Sequence, residues 1–585
     1  MSHLNPRAIS IDTPMPPPAW AVLEWELIRA QTRGCTAFFD KYFDERGYLE
    51  CLPRWGGNDG PDDAIENLVH WPVLYVLGGG SHLYDMCQLA WEGHLKQYTE
   101  AKTTEVPFAR DGMYYREFPV MFDWVHNGEG LTTFNLHGLM DPHEREFESR
   151  VRRFAGFYMG DDPQAPNYDP EHKIIKSLFN GSRGPMLRKA TALDWAGDPL
   201  DEVQERFIPL HGERNFEEML AHFKDYTDVV GDHPQNMVAT ALGINAYALT
   251  GEDQYKSWVL DYVEAWRQRT LDNDGIIPTN IGLDGTIGGA CDGKWYGGCY
   301  GWGFTVEVPQ TGAMANRNTH GLGLSGFGNA LLMSGDQSFV DIWRQMIDKI
   351  NAQGKEVDGQ MMYPHMYGDE GWYGYSPARY AQGAQEVYYW SMDKADLKRL
   401  DAEGGWLGYL EGNNSAYPEA ALQADFARLR EQMEKVYTDP TTPDTRLSDN
   451  PNPFNPAIPG GLTQLMMGGL TPRHGSPLHC RVRYFDPQAG RAGMPEGVGA
   501  LVEQLGDESM VLTLVNTDPV EGKEVVVQGG AYAEHQFTSV KMGGKETTLD
   551  DSSFAVELAP GAGSTLEIGM KRYVNGLTFA SPWDR

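Results

Sequence analysis

Positive charge, paired cysteines and long apolar runs are what this chain has least of. Its 585 residues carry 48 lysines and arginines against 82 aspartates and glutamates, a formal charge of −34. That deficit excludes non-specific nucleic-acid binding, which needs a basic footprint. It also gives no general attraction toward a polyanion, and reads as a solvated acidic surface. The six cysteines, Cys35, Cys51, Cys87, Cys291, Cys299 and Cys480, contain no CxxC pair, so they read as reduced structural thiols rather than a disulfide frame or zinc clasp. No uninterrupted apolar segment is long enough to cross a bilayer. The start, Met1 to Arg7 followed by Pro14, Pro16, Pro17 and Pro18, lacks the charged-then-apolar order of a secretory leader. These absences lead to the expectation of a soluble cytoplasmic protein with neither nucleic acid nor membrane as partner.

What is present is enough apolar residue, 41%, for a folded chain of about two to four domains. A helical hairpin recurs three times. It turns at Gly80-Ser81-His82-Leu83-Tyr84, at Gly251-Glu252-Asp253-Gln254-Tyr255 and at Gly335-Asp336-Gln337-Ser338-Phe339. Apolar residues follow at helical spacing: Cys87, Trp91 and Leu95; Trp258, Tyr262 and Trp266; Ile342, Met346 and Ile350. Each copy runs on to an Asp-Gly turn, at Asp111-Gly112, Asp274-Gly275 and Asp358-Gly359. Such units cannot bury their apolar faces alone and must stack against neighbours.

Residues 1–19 read as an extended arm. The helical pattern runs over 20–437, with Trp20-Leu23-Leu27, Phe216-Met219-Phe223 and Met237-Ala241-Ile244-Ala248 as examples. Residues 438–471 are rich in Pro, Asp, Thr and Asn and read as a linker or surface crossing. Over 472–585 the pattern turns strand-like, as in Met510-Val511-Leu512-Thr513-Leu514-Val515, which predicts a small antiparallel sandwich. Turns within the pairs are short and connections after them long. The long stretches, roughly 105–134, 224–236, 272–320 and 353–384, are therefore the expected functional face.

Gly-Asp-x-x-aromatic helix pairs, an all-helical body and a C-terminal sandwich resemble the carbohydrate-active (α/α)-toroid enzymes, a group of polysaccharide lyases, glycoside hydrolases and sugar epimerases. The resemblance covers most of residues 20–585. It implies a mainly α plus β fold, an (α/α)6-7 toroid or incomplete barrel followed by the sandwich, and an oligosaccharide as substrate. No family motif matches position by position, so it assigns no catalytic residue.

The long connections supply candidates of their own. The first holds Tyr115, His126, Asn127 and Glu129; the second Asp225, Asp228, Asp232, His233 and Asn236. The third is glycine-rich, with Trp295, Tyr296, Tyr300 and Trp302 interleaved, then Arg317 and His320; the fourth holds His365, Asp369 and Trp372. Glycines admit a ligand close to the backbone, and aromatic faces pack on sugar C–H faces. Each residue also has a plain structural reading. His126 and Glu129 can satisfy a buried turn, Asp232 or His233 can cap a helix, the aromatics can be core, and Arg317 can pair with an acid. Asp59, Asp62, Asp63, Glu66 and His70 form an early acidic group that could bind a cation or lend a carboxylate, though capping by Asp62 or Asp63 is the safer reading. Arg473-His474 falls at the edge of the predicted sandwich, where it could complete a cleft.

The leading expectation is β-elimination on uronate-containing oligosaccharides, cleaving the glycan or releasing water. His126 or His233 would be the base, Arg317 and Asn127 would stabilise the enolate, and Tyr115 or Tyr296 would protonate the leaving oxygen. Asp232, Asn236, Trp295, Tyr300, Trp302, His320, His365 and Trp372 would line the substrate. The alternatives are a glycoside hydrolase using Glu129 with Asp232 or Asp228, a sugar epimerase, and a noncatalytic carbohydrate-binding protein. No cofactor is assigned. His365 with Asp369 lacks the spacing to further ligands that a metal site needs, so no metal is assigned either.

Overall fold

The computed structural model describes residues 8–55, 60–104, 106–160, 162–195, 227–308, 313–400 and 404–585. Asp59, Asp225, Tyr226 and the Phe216-Met219-Phe223 pattern lie outside the described residues. No described helix is long and apolar enough to cross a membrane.

The fold is mixed α and β. The main helices, numbered in chain order, are α1 (Ala19–Tyr42), α2 (Pro61–Glu66), α3 (Trp71–Val76), α4 (His82–Glu100), α5 (Trp124–Met140), α6 (Arg145–Gly156) and α7 (Thr240–Thr250). They continue with α8 (Asp253–Asp272), α9 (Leu324–Ser334), α10 (Ser338–Asn351), α11 (Ala384–Ser391), α12 (Tyr417–Thr438) and α13 (Gly460–Met467). Neighbours in sequence pack as neighbours in space: α3 on α4, α7 on α8, α8 on α9, α9 on α10, α10 on α11 and α12 on α13. Contacts also skip one element, α5 with α7 and α7 with α9 on one side, α8 with α10 on the other. The first and last long helices, α1 and α12, pack against each other.

The recurring glycines explain the hairpins. Gly251 and Gly335 end α7 and α9 in the left-handed region, at φ of 68° and 72°. Each N–H caps a carbonyl in the last turn, Tyr247 or Leu331. A side chain at either position would carry the left-handed penalty that glycine escapes. The apolar stripes expected after these turns are buried, with Trp266, Met346 and Ile350 at 0% exposure. Asp358 and Gly359, at φ of 52° and 80°, form the two-residue turn of a hairpin joining Lys355–Val357 to Gln360–Met362.

The C-terminal strands are β2 (Val482–Asp486), β3 (Arg491–Ala492), β4 (Val498–Leu505), β5 (Ser509–Asn516), β6 (Lys523–Gly529), β7 (Gln536–Met542), β8 (Lys545–Asp551), β9 (Ser553–Leu558) and β10 (Gly563–Lys571). Residues of the N-terminal arm form β1 (Ala8–Ile11), which pairs in parallel with β9. The two five-stranded sheets run β1-β9-β6-β2-β3 and β4-β5-β10-β7-β8. Phe537 of the second meets Phe554 of the first edge-on, with ring centres 5.0 Å apart. Helices and sheets share a continuous core. Trp25 of α1 donates to the Val498 carbonyl at 2.9 Å, and α13 packs on β4. α13 falls inside the stretch expected to be a linker, where Leu462, Leu465 and Met466 are buried at 0% exposure.

Candidate functional site

His126, Asn127 and Glu129, expected in a loop, stand on the first turns of α5. Asp123 starts that helix, its Oδ1 accepting from the Val125 and His126 amides at 2.9 and 3.3 Å. Its Oδ2 takes the His126 Nδ1 at 2.7 Å. The capping residue therefore also fixes the imidazole. One of the glycines that make this helix read like a loop is there for close approach. A Cβ on Gly128 would lie 2.6 Å from the His474 carbonyl oxygen, whereas one on Gly130 would meet the Asp62 Cα at an ordinary 3.4 Å.

Two further segments close on this end of α5. Helix α2 packs against it and brings Asp62 and Glu66. The turn at 473–476 is clamped from the other direction: the Gly475 amide donates to Thr132 Oγ1 at 2.8 Å, and Asn135 Nδ2 donates to the Gly475 carbonyl at 2.8 Å. That places His474 Nδ1 3.0 Å from Glu129 Oε1, an ion-pair distance without hydrogen-bond alignment. His474 itself is held at φ 45°, a conformation that non-glycine residues adopt at a cost. Gly128→Ala is expected to lower stability by about 1–3 kcal/mol, read by denaturant unfolding, because the methyl meets backbone rather than a yielding side chain.

The electrostatics follow from burial and crowding. Burial pushes the Asp62 carboxyl up to about 7, with His126 pulling it down and Glu129 pushing it further. Burial, then Glu129 and Asp62, carry Glu66 up to about 8, while Asn452 donates to its Oε2 at 2.8 Å. Burial alone would depress the His126 imidazole, but Asp123, Asp62 and Glu129 outweigh it and hold it up at about 10. The surroundings thus favour the protonated imidazole of His126 and the neutral carboxyls of Asp62 and Glu66. One donor atom each of Asp62, His126 and Glu129 lies within 4.8 Å of the other two.

Aromatic side chains border it. Phe122 stacks on His126 with ring centres 4.5 Å apart, and Trp55 packs on Phe122 at 4.3 Å. Phe122 and Tyr300 pack against the same small cluster of Leu178, Phe179, Met186, Val229 and Cys299, which brings the glycine-rich connection to this wall.

The other expected site residues are elsewhere or otherwise engaged. Asp232 is fully buried and accepts from the Ile175 and His233 amides, Asn236 Nδ2, Tyr262 Oη and Trp266 Nε1 at 2.9–3.2 Å. It is the hub of a core network in which Asn236 also bonds Ser177. Asn127 spends its Nδ2 on the Phe122 and Asn180 carbonyls. His233 and His320 are buried and depressed to about 4 and 3 by desolvation. His320 stacks on Trp302 at 3.6 Å and bonds Tyr380 at 2.9 Å, while Trp302 is a core residue donating to the Ile277 carbonyl.

Trp295 and Trp372 flank Tyr367, with ring centres 4.6 and 5.0 Å away. Tyr296 donates to Asp369 at 2.7 Å beside Lys294. His365 bonds Ser376 and the Ala378 carbonyl, each at 3.0 Å. Half-buried Arg317 follows Phe304, whose carbonyl takes its amide. Tyr115 bonds Gln164 at 3.4 Å under the Arg183 guanidinium, and Asp228 pairs with Lys189 at 2.7 Å.

From the sequence, Asp62 and Glu66 belong to an early acidic group with a cation or carboxylate role set behind helix capping by Asp62 or Asp63, and Asp123 and His474 carry no catalytic role. Their spacing along the chain, from 62 to 474, holds no signal that they meet.

Fold and site together describe a helix-pair protein with a C-terminal double sheet and a solvent-reached centre where Asp62, His126 and Glu129 meet. The chain belongs to the family described as a domain of unknown function, DUF8034, whose model matches residues 8–405. No curated protein matches it. Among solved structures, a cellobiose 2-epimerase from Bacillus thermoamylovorans B4167 aligns at 10% identity with a TM-score of 0.28, covering 60% of this chain and 92% of that one.

Proposed function

We propose that the protein is a carbohydrate-active hydrolase that cleaves a glycosidic bond at the Asp62–Glu66–His126–Glu129 centre. The observation that carries this reading is the convergence of three carboxyl groups on one helix end beside an imidazole braced by Asp123. Hydrolysis requires one carboxyl to protonate the leaving oxygen and a second group to activate water or attack. Glu66, anchored by Asn452, is the proton donor in this reading; Asp62 and Glu129 form the side that activates water. The Asp62 and Glu129 oxygens, within 4.8 Å, differ from the Glu129–Asp232 pairing considered from sequence, because Asp232 is occupied by its five donors.

A carbohydrate fits the half-buried rings of Phe122 and Tyr300, and the architecture supports it. We read the hairpins α3/α4, α7/α8 and α9/α10, with their neighbouring helices and the α1–α12 contact, as an (α/α)-toroid. The sandwich, with β1 added from the N-terminal arm, is a second domain.

A screen of neutral and uronate-containing oligosaccharides, read by mass and ultraviolet absorbance, tests the reaction. Hydrolysis adds water across the cleaved bond and produces no chromophore. A conjugated unsaturated uronate would replace this reading with β-elimination, and a product of unchanged mass would replace it with isomerisation. The His126–Asp123 dyad is the feature that favours elimination. Against it, the Asn127 amide is spent on backbone. Tyr115→Phe and Tyr296→Phe together separate the two by kinetics: turnover of both within about 3-fold of the wild type is expected here, whereas loss of whichever is the proton donor of an elimination costs about 100-fold or more.

A further inference from the structure

We propose that Asp62, His126 and Glu129 are the protein ligands of a single divalent transition-metal ion, of the zinc or manganese kind; this rests on the reading of their cluster as the reaction centre. With the three donor atoms mutually within 4.8 Å, a point exists no more than about 2.8 Å from each, and small side-chain rotations reach the roughly 2.0–2.2 Å of zinc bonds to nitrogen and oxygen.

Three observations besides the cluster point to a cation. Asp62 is 4% exposed, and its buried Oδ1 has no hydrogen-bond partner; a buried carboxylate oxygen in that state lacks either a donor or a cation. His126 is oriented as metal-binding histidines are. Its Nδ1 is taken by the Asp123 carboxylate, which leaves Nε2 as the ligand nitrogen and sets the ring. Finally, the His126 and Glu129 side chains keep 31% and 21% of their surface, so an ion there has open positions for water and substrate, as catalytic sites require.

The donor set selects the metal. One imidazole with two carboxylates suits zinc or manganese, whereas calcium takes six to eight oxygens. The ion turns a bound water into hydroxide near neutral pH. That water's proton passes to solvent, the hydroxide oxygen bonds the anomeric carbon as the C–O bond breaks, and the departing oxygen takes the Glu66 proton.

The test uses the full chain, stripped with EDTA and dialysed, then titrated calorimetrically with zinc, manganese or calcium chloride. One equivalent of zinc or manganese is expected, with a raised melting temperature. Asp62→Asn and Glu129→Gln should each weaken binding at least about 10-fold and Asp123→Asn about 10–100-fold, each with an unchanged circular dichroism spectrum. If Asp62→Asn does not fold, Glu129→Gln on the partly exposed side carries the comparison. Absence of saturable binding, affinity unchanged in every folded variant, or binding of calcium alone overturns the proposal. Glycan hydrolysis by the stripped protein at an undiminished rate, without metal binding, removes the ion but keeps the hydrolase; one bound equivalent with no glycan product does the reverse.

Discussion

Glu129→Gln is expected to lower turnover of the glycan substrate by about 10²–10⁴-fold, the range lost when a positioned acid or base is removed. The amide keeps the size and polarity of the side chain and loses its ability to hold a negative charge beside His126 and His474. Because Glu129 is partly exposed and sits on a helix begun by Asp123, the fold should be retained, and circular dichroism with a melting curve provides the control. Steady-state kinetics on whichever oligosaccharide the screen identifies give the measurement. A variant that turns over like the wild type would remove Glu129 from the reaction. A fall in kcat with KM little changed is the pattern of a group needed in the transition state.

Asp232→Ala should be the most destabilising single change among the residues that the sequence nominates, at about 3–5 kcal/mol, because it strips a buried acceptor from five donors at once. Ile175, His233, Asn236, Tyr262 and Trp266 would all lose their shared partner. Urea unfolding reads the effect, and a loss under about 1 kcal/mol would show that the network rearranges freely.

The same residue has a pH signature. Burial raises its carboxyl to about 6, against about 3.9 in an unfolded chain. Between those values the folded state binds more protons than the unfolded one, so stability falls as pH rises through that window and levels off above it. Asp232→Asn should flatten that part of the wild-type stability profile.

These two acids show how far residue types alone can be read. Glu129 and Asp232 stand in similar polar, glycine-bounded sequence, each near a histidine and an asparagine. One opens to solvent beside Asp62 and His474, while the other is enclosed by Tyr262 and Trp266 of α8. Trp302 and His320 repeat the lesson: an aromatic and a histidine in a glycine-rich run suggest a sugar platform, yet they stack on each other in the core. Composition reports which groups are available, whereas burial decides which of them meet water.

Local periodicity was sufficient for the helical hairpins, the strand-rich C-terminus and the turns at Gly251 and Gly335, because helix spacing, strand spacing and left-handed glycines are properties of a few neighbouring residues. Residue type also pointed to His126 and Glu129, three and six residues after the Asp123 cap that orients the imidazole. Long-range packing decided what remained. The pairing of Ala8–Ile11 with β9 and the meeting of Asp62, Glu129 and His474 join segments far apart in the chain, through backbone pairing and the close approach that Gly128 permits. Such contacts leave no period in the chain, since what selects them is complementary shape and buried charge across separate elements.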